Sequence, residues 1–374
     1  MKLLIAGDFV PRNRLAPLVA NENFEAIFGD IRKLVMSVDY SVVNFESPVV
    51  EDGDTPIDKC GPNLRCTAQA VDAIKYAGFK CVTLANNHVR DFGDNGVART
   101  IDLMEKNKID HVGAGENIEV AASVLYHKEE DKTLAIINCC ESEFSIATPN
   151  HYGANPLNPV RQYYAIQDAR RKADYVLVIV HGGPEHHQLP SPRMQDTYRF
   201  FVDAGADIVV NHHQHCYSGY EIYNGKPIVY GTGNFCMDKS PIRTGQNWNY
   251  GYLVLWDTEL PNQIQLYPYE QCGENPGVKL LPLSAFDKKL GELNDIIINR
   301  ESLQKETNIF FSSREASIDN VVEPIQNKYL SALRKRGLFP KLLPKRQRLR
   351  MQDYVMCESL RDIMEYYFNS KNNK

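Results

Sequence analysis

The 374-residue sequence lacks the cysteine spacing of a disulfide framework or of a thiolate metal site. It has nine cysteines, an odd number, and no Cys-x-x-Cys pair. Several of them, such as Cys81, Cys139 and Cys140, stand inside apolar runs. Disulfide-rich secreted domains and zinc ribbons instead show even numbers of cysteines or closely spaced pairs. We therefore expect reduced, buried thiols.

The chain also has little that would direct it to a membrane or to nucleic acid. After Lys2, only a short apolar run precedes Gly7 and Asp8, which is far less than a signal peptide or a membrane span needs. The formal net charge is -5, whereas nucleic-acid-binding domains are usually basic. We expect a cytoplasmic protein without a nucleic-acid partner.

What the sequence does contain is a set of metal-ligand residue types, placed where apolar, strand-like runs end. These are Asp8, Asn44, Glu46, Asn86, Asn87, His88, His181, His213 and His215. Loops at strand ends project side chains into a shared crevice, so several strands can supply one site. Carboxylate, amide and imidazole ligands together suit Mn²⁺, Fe²⁺, Zn²⁺ or Mg²⁺. This order predicts a site for one or two divalent metal ions.

Alternating strand-like and helix-like patterns extend from residue 2 to about residue 256. We expect helices over 24–36 and 68–76, and a further helix capped by Asp94. Short β segments after residue 219, joined by Asn-Gly or glycine-rich turns, predict antiparallel hairpins. The pattern is typical of an α/β protein with two sheets, partly antiparallel, and helices outside them.

The character of the sequence changes past about residue 283. Apolar residues then recur at helical spacing over 286–297, 318–333 and 360–367. We therefore predict one domain over residues 1–282 and a helical C-terminal extension over residues 283–374.

The residue types also suggest a division of labour within the site. A carboxylate between two cations can bridge them, and Glu46 is the natural bridge. Asn87 offers an amide oxygen, and His88 an imidazole that could protonate a leaving group or hold the substrate. Other polar residues near these positions are candidates for substrate contacts or for support of the ligands. They are Asn44, Asn86, Glu185 and Asn234.

Taken together, these segments resemble the CapA proteins of poly-γ-glutamate capsule synthesis. The resemblance covers roughly residues 2–255. Its motifs are GDF at 7–9, VVNFESPV at 42–49, LRC at 64–66, AGFKCVTLANNHVRDFGDNGV at 77–97, VGAGEN at 112–117, HGGPEH at 181–186, DAGADIVVNHHQH at 203–215 and YGTGNF at 230–235. It implies the fold of the calcineurin-like metallophosphoesterases, a four-layer α-β-β-α sandwich of two mixed sheets.

The resemblance also implies roles for single residues. One metal ion would be bound by Asp8, Glu46 and His215, and the other by Glu46, Asn87, His181 and His213, with His88 over the substrate. Arg65 matches an arginine of the family that suits a bidentate grip on phosphate or carboxylate. Val10 departs from the metallophosphoesterase pattern, which usually has histidine two residues after the first aspartate. We therefore expect one of the two metal positions to be weak or empty.

Three functions are compatible with these residues. The first is a metal-dependent hydrolase that cleaves a phosphoester by metal-bound hydroxide, linked to capsule, poly-γ-glutamate or surface-polymer synthesis, with an anionic small molecule or polymer as its substrate. The second is a non-catalytic scaffold that binds an anionic polymer or an assembly partner. The third is chemistry on γ-glutamyl amide bonds. The stretch from Arg334 to Arg350 contains eight basic residues and no acidic one, so it suits an acidic partner or a membrane surface, or forms a solvated basic face.

Overall fold

A computed structural model describes residues 1–242, 244–314 and 345–372. The strands are β1 (Lys2–Val10), β2 (Tyr40–Phe45), β3 (Cys81–Thr83), β4 (Asp110–Val112), β5 (Ala114–Gly115), β6 (Leu125–Glu129), β7 (Lys132–Cys140), β8 (Gly153–Ala154), β9 (Tyr175–His181), β10 (Ile208–His212), β11 (Tyr220–Tyr223), β12 (Lys226–Val229), β13 (Asn234–Met237), β14 (Tyr250–Asp257), β15 (Ile264–Gln271) and β16 (Val278–Leu280). The α-helices are α1 (Leu15–Ala20), α2 (Glu25–Phe28), α3 (Ile31–Val35), α4 (Gln69–Ala77), α5 (Gly93–Lys106), α6 (Ile118–Ala121), α7 (Pro159–Lys172), α8 (Pro192–Asp203), α9 (Asp287–Ile298), α10 (Arg300–Ser312), α11 (Lys345–Met356) and α12 (Glu358–Asn372).

Most of the strands form two mixed sheets. The first has the order β16-β15-β14-β1-β2-β3-β4, and β13 also pairs with β1. In this sheet, β1, β2, β3, β4 and β13 are parallel to one another. On the other side of β1, the pairs β1–β14, β14–β15 and β15–β16 are antiparallel. The second sheet has the order β11-β12-β10-β9-β7-β6, with a parallel centre and antiparallel edges.

The alternation of side chains along β1 shows how the layers stack, because successive residues of a strand face opposite sides. Leu3 and Ile5 pack with residues of the second sheet, such as Val178. Leu4 and Ala6 instead pack under helices α1 to α5. Helices α7 and α8 cover the second sheet, whose side chains share one core with theirs. The predicted four-layer architecture of two mixed sheets is therefore confirmed.

Several local predictions were confirmed and others were wrong. The Asn-Gly turn joins β11 to β12 as predicted, with positive φ at both Asn224 and Gly225, as hairpin turns of this type require. The helix predicted over 24–36 is broken at Gly29, which has φ 42°. Asp94 is not a cap, because α5 begins at Gly93 and the Asp94 carboxylate in its first turn accepts bonds from Arg90.

All nine cysteines are free, which confirms the expectation of reduced thiols, and only Cys60 is partly exposed. Each of the described helices is too short or too polar to cross a membrane.

Two of the helices predicted from apolar periodicity after residue 283 are present in the structure. Leu290, Leu293 and Ile297 of α9 are buried against the main core, and Ile363 and Tyr367 of α12 pack against Phe311 of α10. The helix expected over 318–333 lies outside the described residues, and the domain boundary near residue 282 stays a prediction.

Candidate metal centre

Asp8 lies among the other predicted metal ligands because strand β1 is irregular beside it. The register with β2 shifts between Ala6 and Asp8, and the register with β13 shifts between Asp8 and Phe9. Such bulges re-aim side chains and are common beside active sites. Gly7 makes this possible, because a Cβ there would lie 1.8 Å from the carbonyl oxygen of Gly233.

Four potential ligands converge around one nitrogen atom of His181. Its Nε2 lies 3.0 Å from Asn87 Oδ1, 3.0 Å from His213 Nδ1 and 3.4 Å from Glu46 Oε1. Ligand atoms at about 2.1 Å from one metal ion are separated by roughly 3.0 to 3.4 Å in octahedral or tetrahedral geometry. These distances are therefore those of a preformed ligand shell, with the residues of the second predicted set.

A second group shares the Glu46 carboxylate. Ligand atoms of Asp8, Glu46 and His215 lie within 4.8 Å of one another. His215 Nδ1 is 2.9 Å from Asn234 Oδ1 and 3.6 Å from Asp8 Oδ2. A carbonyl partner on one ring nitrogen fixes the tautomer and leaves the other nitrogen available as a ligand.

Glu46 supplies the test of whether these residues fit a metal ion. The residue is fully buried, and neither carboxylate oxygen has a hydrogen-bond partner among the described residues. Desolvation, followed by the charge of Asp8, raises the pKa of Glu46 well above its ordinary value. An unpaired buried carboxylate is costly, and cations on either side would remove that cost. The donor set therefore fits divalent metal ions.

Asn44 and Asn86 support the ligands rather than extend the shell. The Asn44 amide donates to Asp8 Oδ1 at 2.8 Å and lies 3.2 Å from His181 Nδ1. Its own oxygen accepts a bond from Asn86 Nδ2, while Asn86 Oδ1 accepts the backbone N–H of His88. These bonds fix the orientations of Asp8 and His181 and hold the backbone of His88 beside them.

The two histidines after β10 are held in an unusual backbone conformation. His213 has φ 90° and His215 has φ 54°, both in the left-handed region that non-glycine residues rarely adopt. Such residues cluster at functional sites, where the surrounding structure offsets the strain. The segment is thus not extended. His212 hydrogen-bonds to Thr232 instead of joining the ligands.

His88 lies beside the ligands in a contact network that sequence reasoning missed. Its Nδ1 is 2.6 Å from Asp91 Oδ2, and the ammonium of Lys59 lies 3.1 Å from the same nitrogen and pairs with Asp91. Burial and then the charge of Lys59 lower the pKa of His88 to about 4, so the imidazole is neutral at pH 7. Because a carboxylate can only accept a hydrogen bond, this contact favours the tautomer that carries its proton on Nδ1 and leaves Nε2 unprotonated. Asp91 could have been suspected three residues after His88, whereas Lys59 carries no sequence signal.

A cavity of about 240 Å³ opens beside this centre. On the domain side it is lined by Glu143, Glu185 and His213, and on the other by side chains of α10, α11 and α12, among them Phe310 and Asp353. The Glu143 carboxylate accepts a bond from the Asn87 amide, which connects the cavity to the ligands. No pattern in the sequence predicted that the C-terminal extension would line this cavity.

The remaining predicted residues have different surroundings. Arg65 is exposed, and its guanidinium lies 6.0 Å from the centroid of the Phe92 ring; its grip on an anion stays a prediction. Val10 is buried against Leu64 and Met237 and offers no ligand. Of the basic stretch, the described part begins at Lys345, which pairs with Asp58.

Comparisons with known proteins agree on one family. A model of the bacterial capsule synthesis protein PGA_cap matches residues 2–239. The chain is 31% identical over 252 residues to capsule biosynthesis protein CapA of Bacillus anthracis. This match covers 65% of this chain and 61% of that protein. The chain is 30% identical over 241 residues to PGA biosynthesis protein CapA of Bacillus subtilis, which covers 64% of this chain and 63% of the relative. It thus spans less than two thirds of their length.

Among solved structures, a phosphatase from Mycoplasma pneumoniae aligns with 14% identity and a TM-score of 0.45, over 73% of this chain and 95% of that chain.

Proposed function

Since this chain belongs to the family of the bacterial capsule synthesis protein PGA_cap, we propose that it is a metal-dependent hydrolase acting in the synthesis of a capsule or surface polymer. The observation that carries this proposal is Glu46, whose buried carboxylate accepts no hydrogen bond from the residues that the structure describes and lies between two groups of ligand residues. A purely structural core would not retain such a group, because an apolar residue there would cost less. The reaction we favour is hydrolysis of a phosphoester.

The chain's own residues would divide the work as follows. Asp8 and His215 would hold one divalent ion, Asn87, His181 and His213 the other, and Glu46 both. Bound divalent ions polarise a phosphoryl oxygen and lower the pKa of water.

His88 would exchange a proton with the substrate through its Nε2 atom, because Asp91 engages Nδ1 and holds the ring in one orientation. Lys59 would keep the Asp91 carboxylate in place, since the two are paired in a buried position.

The cavity beside His213 would receive the part of the substrate that does not react. Its walls carry carboxylates of Glu143 and Asp353 and the aromatic ring of Phe310, so it would discriminate among groups attached to the reacting centre. Helices α11 and α12 would then contribute to specificity.

The first experiment is elemental analysis of metal per chain, in protein purified without chelators or a metal-affinity tag. We expect bound transition metal in the wild type and its loss in Glu46→Gln and His213→Ala. Glu221→Gln is the matched control, because Glu221 is also buried but is paired with Arg199, away from the ligands. Unchanged metal content in both site variants would reject the assignment.

Activity assays on the metal-loaded protein then separate the three functions. Hydrolysis of p-nitrophenyl phosphate or its diester supports the phosphoesterase, and release of p-nitroaniline from its γ-glutamyl derivative supports amide chemistry. Stoichiometric metal binding with neither activity favours the scaffold.

A further inference from the structure

We propose that Glu185 is a further metal ligand, which completes the shell of the ion held by Asp8, Glu46 and His215. This inference rests on the proposed function, because it requires that the centre bind divalent ions. Glu185 lies in a loop, where a charged side chain is usually exposed to solvent and has no specific role.

The geometry of the side chains is the first support. Glu185, His213 and His215 each offer a ligand atom, and these atoms lie within 4.8 Å of one another. His215 also belongs to the group with Asp8 and Glu46. The Glu185 carboxylate therefore lies within reach of one ligand of each ion, on the side that faces the cavity.

The backbone keeps Glu185 in this position. The loop after β9 is tied to the histidine segment by two bonds, from Gly182 N to His212 O at 3.2 Å and from His186 N to Gln214 O at 2.8 Å. Gly183 and His186 on either side have positive φ, at 100° and 64°. Two ligand-bearing segments are thus fixed against each other.

Without Glu185, the two ions would also differ in their number of protein ligands. One ion has four donors in Glu46, Asn87, His181 and His213, whereas the other has only Asp8, Glu46 and His215. Val10, which lies two residues beyond Asp8 on the same side of β1, is apolar and buried. Mn²⁺ and Mg²⁺ prefer six oxygen or mixed ligands, so a fourth protein donor would raise affinity and still leave room for water.

Within the part of the chain that the structure describes, no other strong contact explains the orientation of the Glu185 side chain. It is half exposed, and its contact with the ring of His186, whose pKa burial lowers to about 4, is long, at 3.8 Å. The nearby Glu143 is a poorer candidate, because its carboxylate is engaged by the Asn87 amide.

The test is a titration of chelator-stripped full-length protein with Mn²⁺, in which electron paramagnetic resonance measures the free ion. We expect Glu185→Gln to weaken one of two Mn²⁺ sites by about tenfold or more and to leave the other nearly unchanged. Glu292→Gln is the control, because Glu292 is equally exposed, at 52% against 50% for Glu185, and lies on α9. It should bind both ions like the wild type.

The outcomes separate this inference from the proposed function. Wild-type affinity at both sites in Glu185→Gln would overturn the role of Glu185 and leave the metal centre standing. A wild type that binds neither Mn²⁺ nor Zn²⁺ would overturn both. If Glu185→Gln unfolds more easily without metal, Glu185→Asp decides, since it keeps the charge on a shorter arm. One weakened site then supports the ligand role, and two unchanged sites reject it.

Discussion

At the scale of single residues, the centre is defined by what its groups lack as much as by what they contact. The buried oxygens of Glu46 have no hydrogen-bond partner in the described ranges, and Asp8 lies close by. Two carboxylates buried together are stable only when cations or protons neutralise them. The ligand geometry and the unpartnered oxygens of Glu46 among the described residues are independent observations, and they point to the same occupant.

Glu46→Gln tests the charge directly. In the presence of a chelator, we expect this variant to be more stable than the wild type by about 1 to 3 kcal/mol, because a neutral amide costs less to bury than a carboxylate. Urea unfolding followed by circular dichroism measures the difference. Glu221→Gln should instead lose stability, since it breaks the pair with Arg199. A less stable Glu46→Gln protein would mean that the carboxylate has a structural partner.

His88→Ala tests the proton-transfer role. We expect kcat on any phosphoester substrate to fall by about 10² to 10⁴, with the metal content unchanged, because His88 is placed beside the ligands without being one. His151→Ala is the control, as this exposed histidine pairs with Asp94 away from the centre. Steady-state kinetics together with elemental analysis decide the question, and a variant as active as the wild type would remove His88 from the mechanism.

The site residues that stand at the end of a strand-like run could be predicted from the sequence, and the other site residues could not. Asp8, Glu46, Asn87 and the histidines stand at the ends of apolar runs, so their convergence could be expected. Lys59 lies in an irregular loop without periodicity. Its burial against His88 depends on how that loop folds back.

At the scale of elements, apolar periodicity predicted the strands and helices that lie in the core. It failed where a single backbone conformation decided the outcome, as at Gly29, which breaks the expected helix. Strand β13 was also missed, because the four residues Asn234–Met237 are too few to show alternation. Local propensity is a weak guide when tertiary contacts complete an element.

The docking of α12 depends on one buried carboxylate. Glu141 Oε1 accepts bonds from Arg193 at 2.7 Å and from the Ser359 hydroxyl at 2.9 Å, while Oε2 accepts the Ser359 backbone N–H. Arg193 also binds Asp362 of the same helix. Burial opposes the charge of Glu141, but Arg193 outweighs it and lowers the pKa.

Glu141→Gln should therefore destabilise the protein at pH 7 by about 1.5 to 3 kcal/mol, the usual range for hydrogen bonds to a charged group. A lowered pKa stabilises the fold above the ordinary value of 4.5, and that contribution is lost as the pH falls through the folded value. The difference in the free energy of unfolding between wild type and variant, measured by urea unfolding, should hence become smaller below about pH 4.5. An equal difference at pH 7 and pH 4 would contradict this. The control is Glu365→Gln, on the exposed side of α12, which should unfold with the same free energy as the wild type.

At the scale of the whole molecule, the centre exists only when the two sheets are packed together. Asp8, Glu46 and Asn87 lie in or after strands of the first sheet, whereas His181, His213 and His215 lie in or after strands of the second. The bond from His213 N to Asp8 Oδ2 spans 205 positions in the sequence. Spacing alone could not show which residues meet over such separations. The resemblance to a family supplied the pairing, and the structure supplied the distances.

A site assembled across the two sheets should couple metal binding to the stability of the entire sandwich. An ion that binds only the folded chain stabilises it by RT ln(1 + [ion]/Kd), about 2.7 kcal/mol when the free ion is at one hundred times Kd. We expect Mn²⁺ to raise the thermal midpoint of chelator-treated wild type in proportion to the logarithm of its concentration. Glu46→Gln should show no such rise, because it lacks the charge shared by both ions. If Mn²⁺ raised both midpoints equally, the ion would be acting elsewhere on the surface, and the coupling of the sheets through the centre would be wrong.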